Sequence, residues 1–180
     1  MSEGENPQAE NGSSIHGEVV EDLLLTDAFL IKGSIQGKFR RLSAYLEEEF
    51  VSFLALSSAS MVDLRNGEVI RTPRVHVNLD EVILAHELLD SSSDYYQRLL
   101  NKESGTIPIR AFHHGVANLE LAGRIRPGAY YGGPEQRFFI MESCRIRGLN
   151  PSISNDFNML SELSYAIINR SKLAYIYDFS

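Results

Sequence analysis

The feature of the sequence that most constrains its fold is an internal repeat. Three early segments of the chain recur later in the same order, pairing residues 31–36 with 121–126, 53–61 with 138–146, and 77–88 with 168–179. The offsets between paired segments are 90, 85 and 91 residues. Because the matches are collinear and their offset is nearly constant, they predict two copies of one structural unit. We assign the copies to residues 26–89 and 115–180.

Two residue types mark equivalent positions in the predicted copies. Gly33 and Gly123 stand inside short apolar segments, where a glycine usually marks a bulge or the close approach of another backbone. Asn78 and Asn169 each stand between two apolar segments. Asn hydrogen-bonds its own backbone readily, so a one-turn link between strands is expected there. These four residues are the structural markers of the repeat.

The residue pattern within one copy predicts four or five short strands and one small helix. Helical spacing of apolar residues predicts a helix over residues 39–49 of the first copy, which a turn replaces at residues 129–136 of the second. A sheet of a few short, twisted strands tends to curl until its edges are hidden. We therefore predict a mainly β fold with a minor α contribution (α+β), made of two tandem small β-barrel-like repeats with short helices.

Three segments lie outside the two copies. Residues 1–17 are dense in Glu, Asn, Ser and Gly, so they bury too little apolar surface to offset chain entropy and predict a disordered acidic tail. This tail is either a solubilising leader or an arm that docks specifically. Residues 18–25 contain an apolar run that predicts a docking segment, either a strand or a single helical turn. Residues 90–114 carry an apolar stripe at helical spacing and predict a helical connector between the copies.

The first copy resembles a known bacterial family. Its pattern runs I-x-G at Ile31, R-L-S-x-Y-L from Arg41, V-x-V-N from Val75, and a closing acid at Glu87. This pattern is similar to a bacterial domain-of-unknown-function family of small β-rich modules. The second copy lacks the R-L-S-x-Y-L segment, so the resemblance covers it only in part. The resemblance implies a small β-rich fold and no known activity.

A looser likeness concerns the end of each copy. A strand, a one-turn link and a final strand also close SH3-like and Sm-like small barrels. The functional signatures of those barrels are absent from this sequence, so the likeness applies to the fold alone.

The charge distribution bears on which partners the chain can have. The formal net charge is −7, but the first 31 residues hold seven acids and no Lys or Arg. The remaining 149 residues therefore carry 17 acids against 17 bases. The body lacks the broad positive field of nucleic-acid-binding proteins and the polybasic cluster of membrane-surface proteins. We expect neither nucleic acid nor a membrane as a partner.

Cysteine content and hydropathy bear on the compartment. One Cys excludes an intramolecular disulfide and any CxxC metal site. No apolar run approaches the roughly 18–20 residues of a membrane helix, and the polar N-terminus does not resemble a secretory signal. We expect a cytoplasmic protein.

Few residues suggest catalysis or metal binding. His113 and His114 are adjacent, so on a strand they point to opposite faces and cannot bind one metal ion. Cys144 aligns with an alanine of the first copy, which favours a small buried side chain. No nucleophile elbow, phosphate-binding loop or zinc-protease motif occurs. We predict no catalytic residue, no metal, no cofactor and no enzyme activity.

Arginines distinguish the second copy from the first. Arg124 and Arg126 flank one apolar residue, and Arg145 and Arg147 flank another. Strand alternation puts each pair on the face opposite its apolar neighbour, and the equivalent residues of the first copy are not basic. If the two strands are neighbours, the four residues form a partner-binding face for a carboxylate- or phosphate-rich segment, which includes this chain's own tail. The alternative is a solvated face whose charges pair with nearby acids.

The most economical function is a non-enzymatic protein-interaction or scaffold module with two diverged β-rich lobes. Such a duplication offers two related surfaces to a protein partner or to a second copy of itself. The first alternative is a regulatory protein that binds a small ligand or nucleotide between the lobes. Sm-like RNA binding comes third, because the body carries no net charge, and an enzyme comes fourth.

Overall fold

The computed structural model describes residues 21–38, 40–47, 51–88, 105–133 and 136–179. The earlier of these ranges contain β1 (Asp22–Thr26), β2 (Phe29–Ser34), α1 (Leu42–Leu46), β3 (Phe53–Asp63), β4 (Val69–Asn78) and β5 (Val82–Glu87). The later ranges contain β6 (Ile107–His113), β7 (Leu119–Ile125), β8 (Phe138–Arg147), β9 (Leu163–Asn169) and β10 (Tyr175–Asp178). Short 3-10 helices lie at Leu79–Glu81, Ala129–Tyr131, Asn155–Leu160 and Arg170–Lys172.

All ten strands belong to one antiparallel sheet in the order β10-β6-β7-β8-β9-β5-β1-β2-β3-β4. The prediction of a mainly β fold is confirmed. Within the described ranges, β4 and β10 each pair with one neighbour, so the sheet is open at both ends. The strands form one continuous sheet, and two separately closed barrels are not observed.

The two halves of the sheet have the same internal order. We call β1–β5 the first half and β6–β10 the second half. The first half runs β5-β1-β2-β3-β4 and the second runs β10-β6-β7-β8-β9. The registers also correspond: Leu24 pairs with Ile31 in the first half, and Ala111 pairs with Leu121 in the second.

Backbone irregularities recur at equivalent places in the two halves. Ser58 in β3 and Ser143 in β8 have positive φ values of 48° and 49°, which are uncommon for residues other than glycine. The pairing of β2 with β3 and that of β7 with β8 each shift register opposite these serines. Both long strands therefore bend at the same point.

The marker residues occupy equivalent positions. Gly33 and Gly123 lie at the register shifts, where a Cβ would stand 3.0 Å from Leu56 and 2.5 Å from Met141. The Asn78 side chain accepts the N–H of Asp80 at 3.0 Å and starts a single 3-10 turn. Asn169 accepts the N–H of Ser171 in the same way, also at 3.0 Å. Asn169 is fully buried and also donates to the carbonyl oxygen of Val82 at 2.9 Å.

The halves meet where β5 pairs with β9. Leu84 pairs with Ile168 and Ala85 with Ile167. Two hydrophobic clusters result, and each draws side chains from both halves. Tyr165 of β9, for example, belongs to the cluster that contains the interior of the first half. The two halves therefore do not have separate cores.

Each half of the sheet begins one strand before the copy that the sequence predicts. β1 (Asp22–Thr26) overlaps residues 18–25, where a docking segment was predicted. It pairs with a strand on each side and is wholly buried. β6 lies within residues 90–114, where a helical connector was predicted. Of the two forms predicted for the docking segment, a strand or a single helical turn, β1 is the strand. A strand buried on both faces has no alternation that would have distinguished the two.

Other segments differ less from the prediction. Within residues 39–49, the helix α1 covers Leu42–Leu46, and within residues 129–136 a 3-10 turn covers Ala129–Tyr131. Residues 1–17 and most of the predicted connector lie outside the described residues. No helix in the described ranges is long and apolar enough to cross a membrane.

Substituting the marker glycines tests the close approach at the two bulges. Gly123→Ala is expected to lower the free energy of unfolding by about 2 kcal/mol, because its Cβ would meet Met141 at 2.5 Å and the carbonyl oxygen of Glu142 at 2.7 Å. Gly33→Ala is expected to cost less, since its nearest contact is 3.0 Å. Chemical denaturation measures both. Gly105→Ala, with nothing within 4 Å, is the control, and equal effects at all three positions would contradict the argument.

Candidate functional site

One face of the second half carries arginine and aromatic side chains in two rows across the sheet. Cα pairing aligns the first row, which is Tyr177, Arg110, Ala122 and Arg145. It aligns the second row as Tyr175, Phe112, Glu120 and Arg147. Directly paired residues of antiparallel strands project to the same side, so the members of the two rows are neighbours. We call these eight residues the arginine–aromatic face.

The four predicted arginines are only partly brought together. Arg145 and Arg147 lie on the arginine–aromatic face and are exposed. Arg124 is exposed beyond the register shift of β7, where it pairs with Glu142. Arg126 follows the end of β7 and is half-buried. Arg145 and Arg147 are therefore the two predicted arginines that belong to the arginine–aromatic face, and Arg126 lies outside the strands.

The arginines of this region already have partners within the second half. The Glu120 carboxylate lies 2.5 Å from Arg110 and 3.9 Å from Arg147. Arg145 lies 3.3 Å from Glu162, and the two are both more than half exposed. The exposed Arg145–Glu162 pair contributes roughly 0–1 kcal/mol to folding, so a partner carboxylate competes with it at small cost. The Glu120 carboxylate is only 17% exposed, so its pairs with Arg110 and Arg147 are more costly to replace.

Arg124 is bound differently. It donates to the hydroxyl of Thr106 at 2.8 Å and to the carbonyl oxygen of Thr106 at 2.6 Å. These contacts hold the guanidinium along the chain that precedes β6. Arg124 is therefore less available to a partner than the arginines of the arginine–aromatic face.

The aromatic residues of this face were not identified as a site from the sequence. Tyr175 and Tyr177 are 58% and 61% exposed, although both are large apolar rings. Phe112 packs edge-on against Tyr177 at 5.8 Å between ring centroids, and the Arg110 guanidinium lies 6.0 Å from the Phe112 ring. The alternation of Tyr175 and Tyr177 was visible, but their partners come from a strand 63 or more residues earlier.

A shallow groove lies at one end of the arginine–aromatic face. Its volume is about 260 Å³, and its lining includes Phe112, His114, Glu120 and Arg147. The His114 ring packs edge-on against Tyr175 at 5.2 Å. The groove therefore combines ring surfaces with one carboxylate and one guanidinium.

The equivalent face of the first half is covered. At the eight matching register positions, three residues are polar and half-buried, namely Lys32, Ser60 and His86. The other five are apolar and buried, namely Leu23, Leu25, Leu30, Val62 and Leu84. They share a hydrophobic cluster with Phe157 and Leu160, which belong to the connection between β8 and β9. In the same connection, Asp156 accepts a hydrogen bond from Lys32 of β2 at 2.8 Å. The same sheet face thus occurs twice, covered in the first half and exposed in the second.

A buried ionic cluster closes one end of the first half. Lys38 lies 2.6 Å from Asp22 and 2.8 Å from Glu87. Glu87 also accepts the N–H of Leu42 at 3.0 Å and the hydroxyl hydrogen of Tyr165 at 3.1 Å. Burial raises the pKa of Asp22. Burial alone would also raise the pKa of Glu87, but the hydrogen bonds that it accepts outweigh this effect and lower it.

A larger groove lies beside this cluster. It has a volume of about 620 Å³ and is lined by the first half, including Glu21, Ser57, Lys38 and Arg74. It is not the site between the two lobes that the ligand-binding alternative predicted. The Lys38 ammonium inside it is already paired with two carboxylates, whereas the Arg74 guanidinium donates to the neutral side chain of Gln36 at 3.0 Å.

The adjacent histidines face opposite ways, and neither lies in a metal-like cluster. His113 is buried and contacts the Lys172 carbonyl oxygen at 2.8 Å and Asp27 at 3.2 Å. His114 is exposed. Among the described residues, no group of three His, Cys, Asp or Glu side chains is placed to hold a metal ion.

Cys144 lies in the interior of the second half. Burial raises the pKa of its thiol to about 12. The thiol is therefore protonated near neutral pH, and the thiolate that acts as a nucleophile is not formed.

Comparison of the chain with family models, with curated proteins and with solved structures found no match. The resemblance of the first copy to a domain-of-unknown-function family stays a prediction.

Removing the ammonium group of the ionic cluster tests its structural role. Lys38→Met is expected to lower the free energy of unfolding at neutral pH by about 3 kcal/mol, because two buried carboxylates lose their counter-charge. In the wild type the pKa of Glu87 is lowered, so Glu87 stabilises the fold at pH values above the ordinary carboxyl pKa. This stabilisation is lost as the pH falls. In the variant both carboxyl pKa values are expected to be raised, so its deficit should shrink as pH falls toward about 5.

Denaturant unfolding at several pH values measures the deficit. Lys32→Met is the control, since Lys32 pairs with Asp156 at a more exposed place and should cost about 1 kcal/mol or less. A deficit for Lys38→Met that stays constant with pH would contradict the role given to the cluster.

Proposed function

We propose that this chain is a non-enzymatic protein-interaction or scaffold module whose arginine–aromatic face binds a partner. The partner that fits is a short protein segment that carries a carboxylate beside large apolar side chains. One observation carries the proposal: the equivalent face of the first half is covered by a segment of that kind, which presents Asp156, Phe157 and Leu160.

The composition of the face suits a protein partner. Tyrosine, phenylalanine and arginine are enriched in protein interfaces and dominate their binding energy. Tyr175 and Tyr177 offer ring surface that costs little side-chain entropy to fix. Arg110 and Arg147 share the single carboxylate of Glu120, so a second carboxylate from a partner can accept hydrogen bonds from one of the two guanidinium groups.

We further propose that the two halves are tandem copies of one small barrel-like unit, opened where they join. The support is the shared strand order, the matching registers, and the positive φ of Ser58 and Ser143. In this proposal the first half uses its outer face to bind the second half, and the second half presents the equivalent face to a partner.

Two other functions remain as proposals with weaker support. Rings beside arginines also suit single-stranded RNA, but three acids, Glu120, Glu142 and Glu162, lie among the arginines of this region. A small ligand or nucleotide would bind in the groove of about 620 Å³, where the charge of Lys38 is already paired with a carboxylate. We propose no enzyme activity, and the cytoplasm is the compartment that we expect for the interaction.

Substitutions on the first row of the face test partner binding. Tyr177→Ser combined with Arg145→Ser is expected to weaken capture of a cytoplasmic protein partner by at least about tenfold, because one ring and one guanidinium leave the face. Folding should change little, since both side chains are exposed. Affinity capture with the full chain, followed by binding of the purified partner at two salt concentrations, measures the effect, and added salt should weaken it.

A matched control uses one tyrosine and one arginine outside the face. Tyr131→Ser combined with Arg71→Ser removes the same groups from exposed positions elsewhere and should leave binding unchanged. Equal loss in both double variants would contradict the proposal. Tight binding of a labelled RNA, lost in the face variant alone, would favour the RNA function instead.

A further inference from the structure

The two strands at the open ends of the sheet, β10 and β4, correspond by the repeat to β5 and β9, which pair with each other inside the chain. β5, the fifth strand of the first half, pairs with β9, the fourth strand of the second half. The open ends are β10, the fifth strand of the second half, and β4, the fourth strand of the first half. We propose that β10 of one copy pairs with β4 of a second copy, repeating the internal junction between chains. This self-association goes beyond the proposed partner binding and uses a strand edge rather than the face.

The internal junction fixes the register of the proposed contact. β8 pairs with β9 as β3 pairs with β4, so Ile168 and Ile167 correspond to Val77 and His76. β6 pairs with β10 as β1 pairs with β5, so Leu84 and Ala85 correspond to Tyr175 and Ile176. Transferring the junction between chains therefore pairs Tyr175 with Val77 and Ile176 with His76 of the second copy.

The same register brings opposite charges together. In the internal junction the hydroxyl of Tyr165 donates to Glu87 at 3.1 Å. The position of Glu87 corresponds to Asp178, and that of Tyr165 corresponds to Arg74. Between chains, a hydrogen bond is thus replaced by an arginine and an aspartate, both of which are exposed in the single chain. An arginine can give a carboxylate paired, charge-assisted hydrogen bonds.

Exposed apolar side chains concentrate at the two open ends. In the described part of the chain, Tyr175 and Tyr177 of β10 and Phe179 beside it are exposed large apolar residues, and Val69 and Ile70 are exposed on β4 beyond the proposed contact. Edge strands of monomeric proteins are commonly protected by charge or by proline. Here Pro73 lies next to Arg74, just past the four residues that β10 would pair, so the proposed contact stops where a proline would interrupt it.

The geometry of the contact determines the type of assembly. The contact joins two different surfaces, so it is heterologous and leaves one open end on each outer copy. Assembly therefore continues from copy to copy until it closes as a ring or grows as a filament.

Charge reversal across the proposed contact tests it with the full-length chain. The wild type is expected to sediment as oligomers over about 1–100 µM at low salt. Arg74→Asp and Asp178→Arg should each weaken assembly by about tenfold or more, and the double variant that carries both should regain it. Sedimentation velocity measures assembly, and circular dichroism establishes that each variant is folded.

Two controls make the outcome decisive. Arg71→Asp changes the same charge on β4 beyond Pro73 and should leave assembly intact. Arg145→Ser alters the arginine–aromatic face and should also leave assembly intact, which separates this contact from partner binding. A monomeric wild type at every concentration, equal effects of Arg71→Asp and Arg74→Asp, or failure of the double variant to recover would each overturn the proposal.

A cross-linking experiment tests the register. When His76→Cys and Ile176→Cys chains are mixed and oxidised, a disulfide should form between chains, because this pair is directly opposed in the proposed register. Thr72→Cys mixed with Ile176→Cys should not cross-link. Cross-linking of Thr72→Cys in preference to His76→Cys would overturn the register.

Discussion

The pairing of β5 with β9 is the interaction on which the rest of the structure depends. It makes the sheet continuous, so that each face of the sheet passes from the interior of one half to the exterior of the other. Each hydrophobic cluster consequently takes side chains from both halves. Asn169 reinforces this junction, because its buried side chain bonds both its own 3-10 turn and the carbonyl oxygen that begins β5. Separating the halves would therefore expose two incomplete cores.

The two halves differ where their surroundings differ. At equivalent positions the first half has Leu23 and Leu25, which are buried, whereas the second half has Arg110 and Phe112, which face outward. The connection between β8 and β9 includes a 3-10 helix that covers the first half, while β3 and β4 are joined by a short turn. The outer face of the first half is thus more apolar because another segment of the chain covers it. The outer face of the second half carries arginines and rings because nothing in the described chain buries it.

The repeated features were predictable because they depend on local chemistry. Asn78 and Asn169 signal a one-turn link by residue type, and Gly33 and Gly123 signal a close backbone approach. At β1 the sequence left a strand and a single helical turn open, because a strand buried on both faces reads as an unbroken apolar run. The alternation of Arg145 and Arg147 could be recognised in the sequence, but the rings beside them could not, since strand pairing brings them from distant positions.

The shared cores also determine the order in which the chain can fold during synthesis. The first half leaves the ribosome before Phe138, Tyr165 and Ile167 have been made, yet all three belong to the cluster that fills its interior. Glu87 likewise lacks the hydroxyl group of Tyr165 until β9 emerges. Made alone, the first half is therefore expected to expose apolar surface, and it depends on the synthesis of β8 and β9 to reach its final packing.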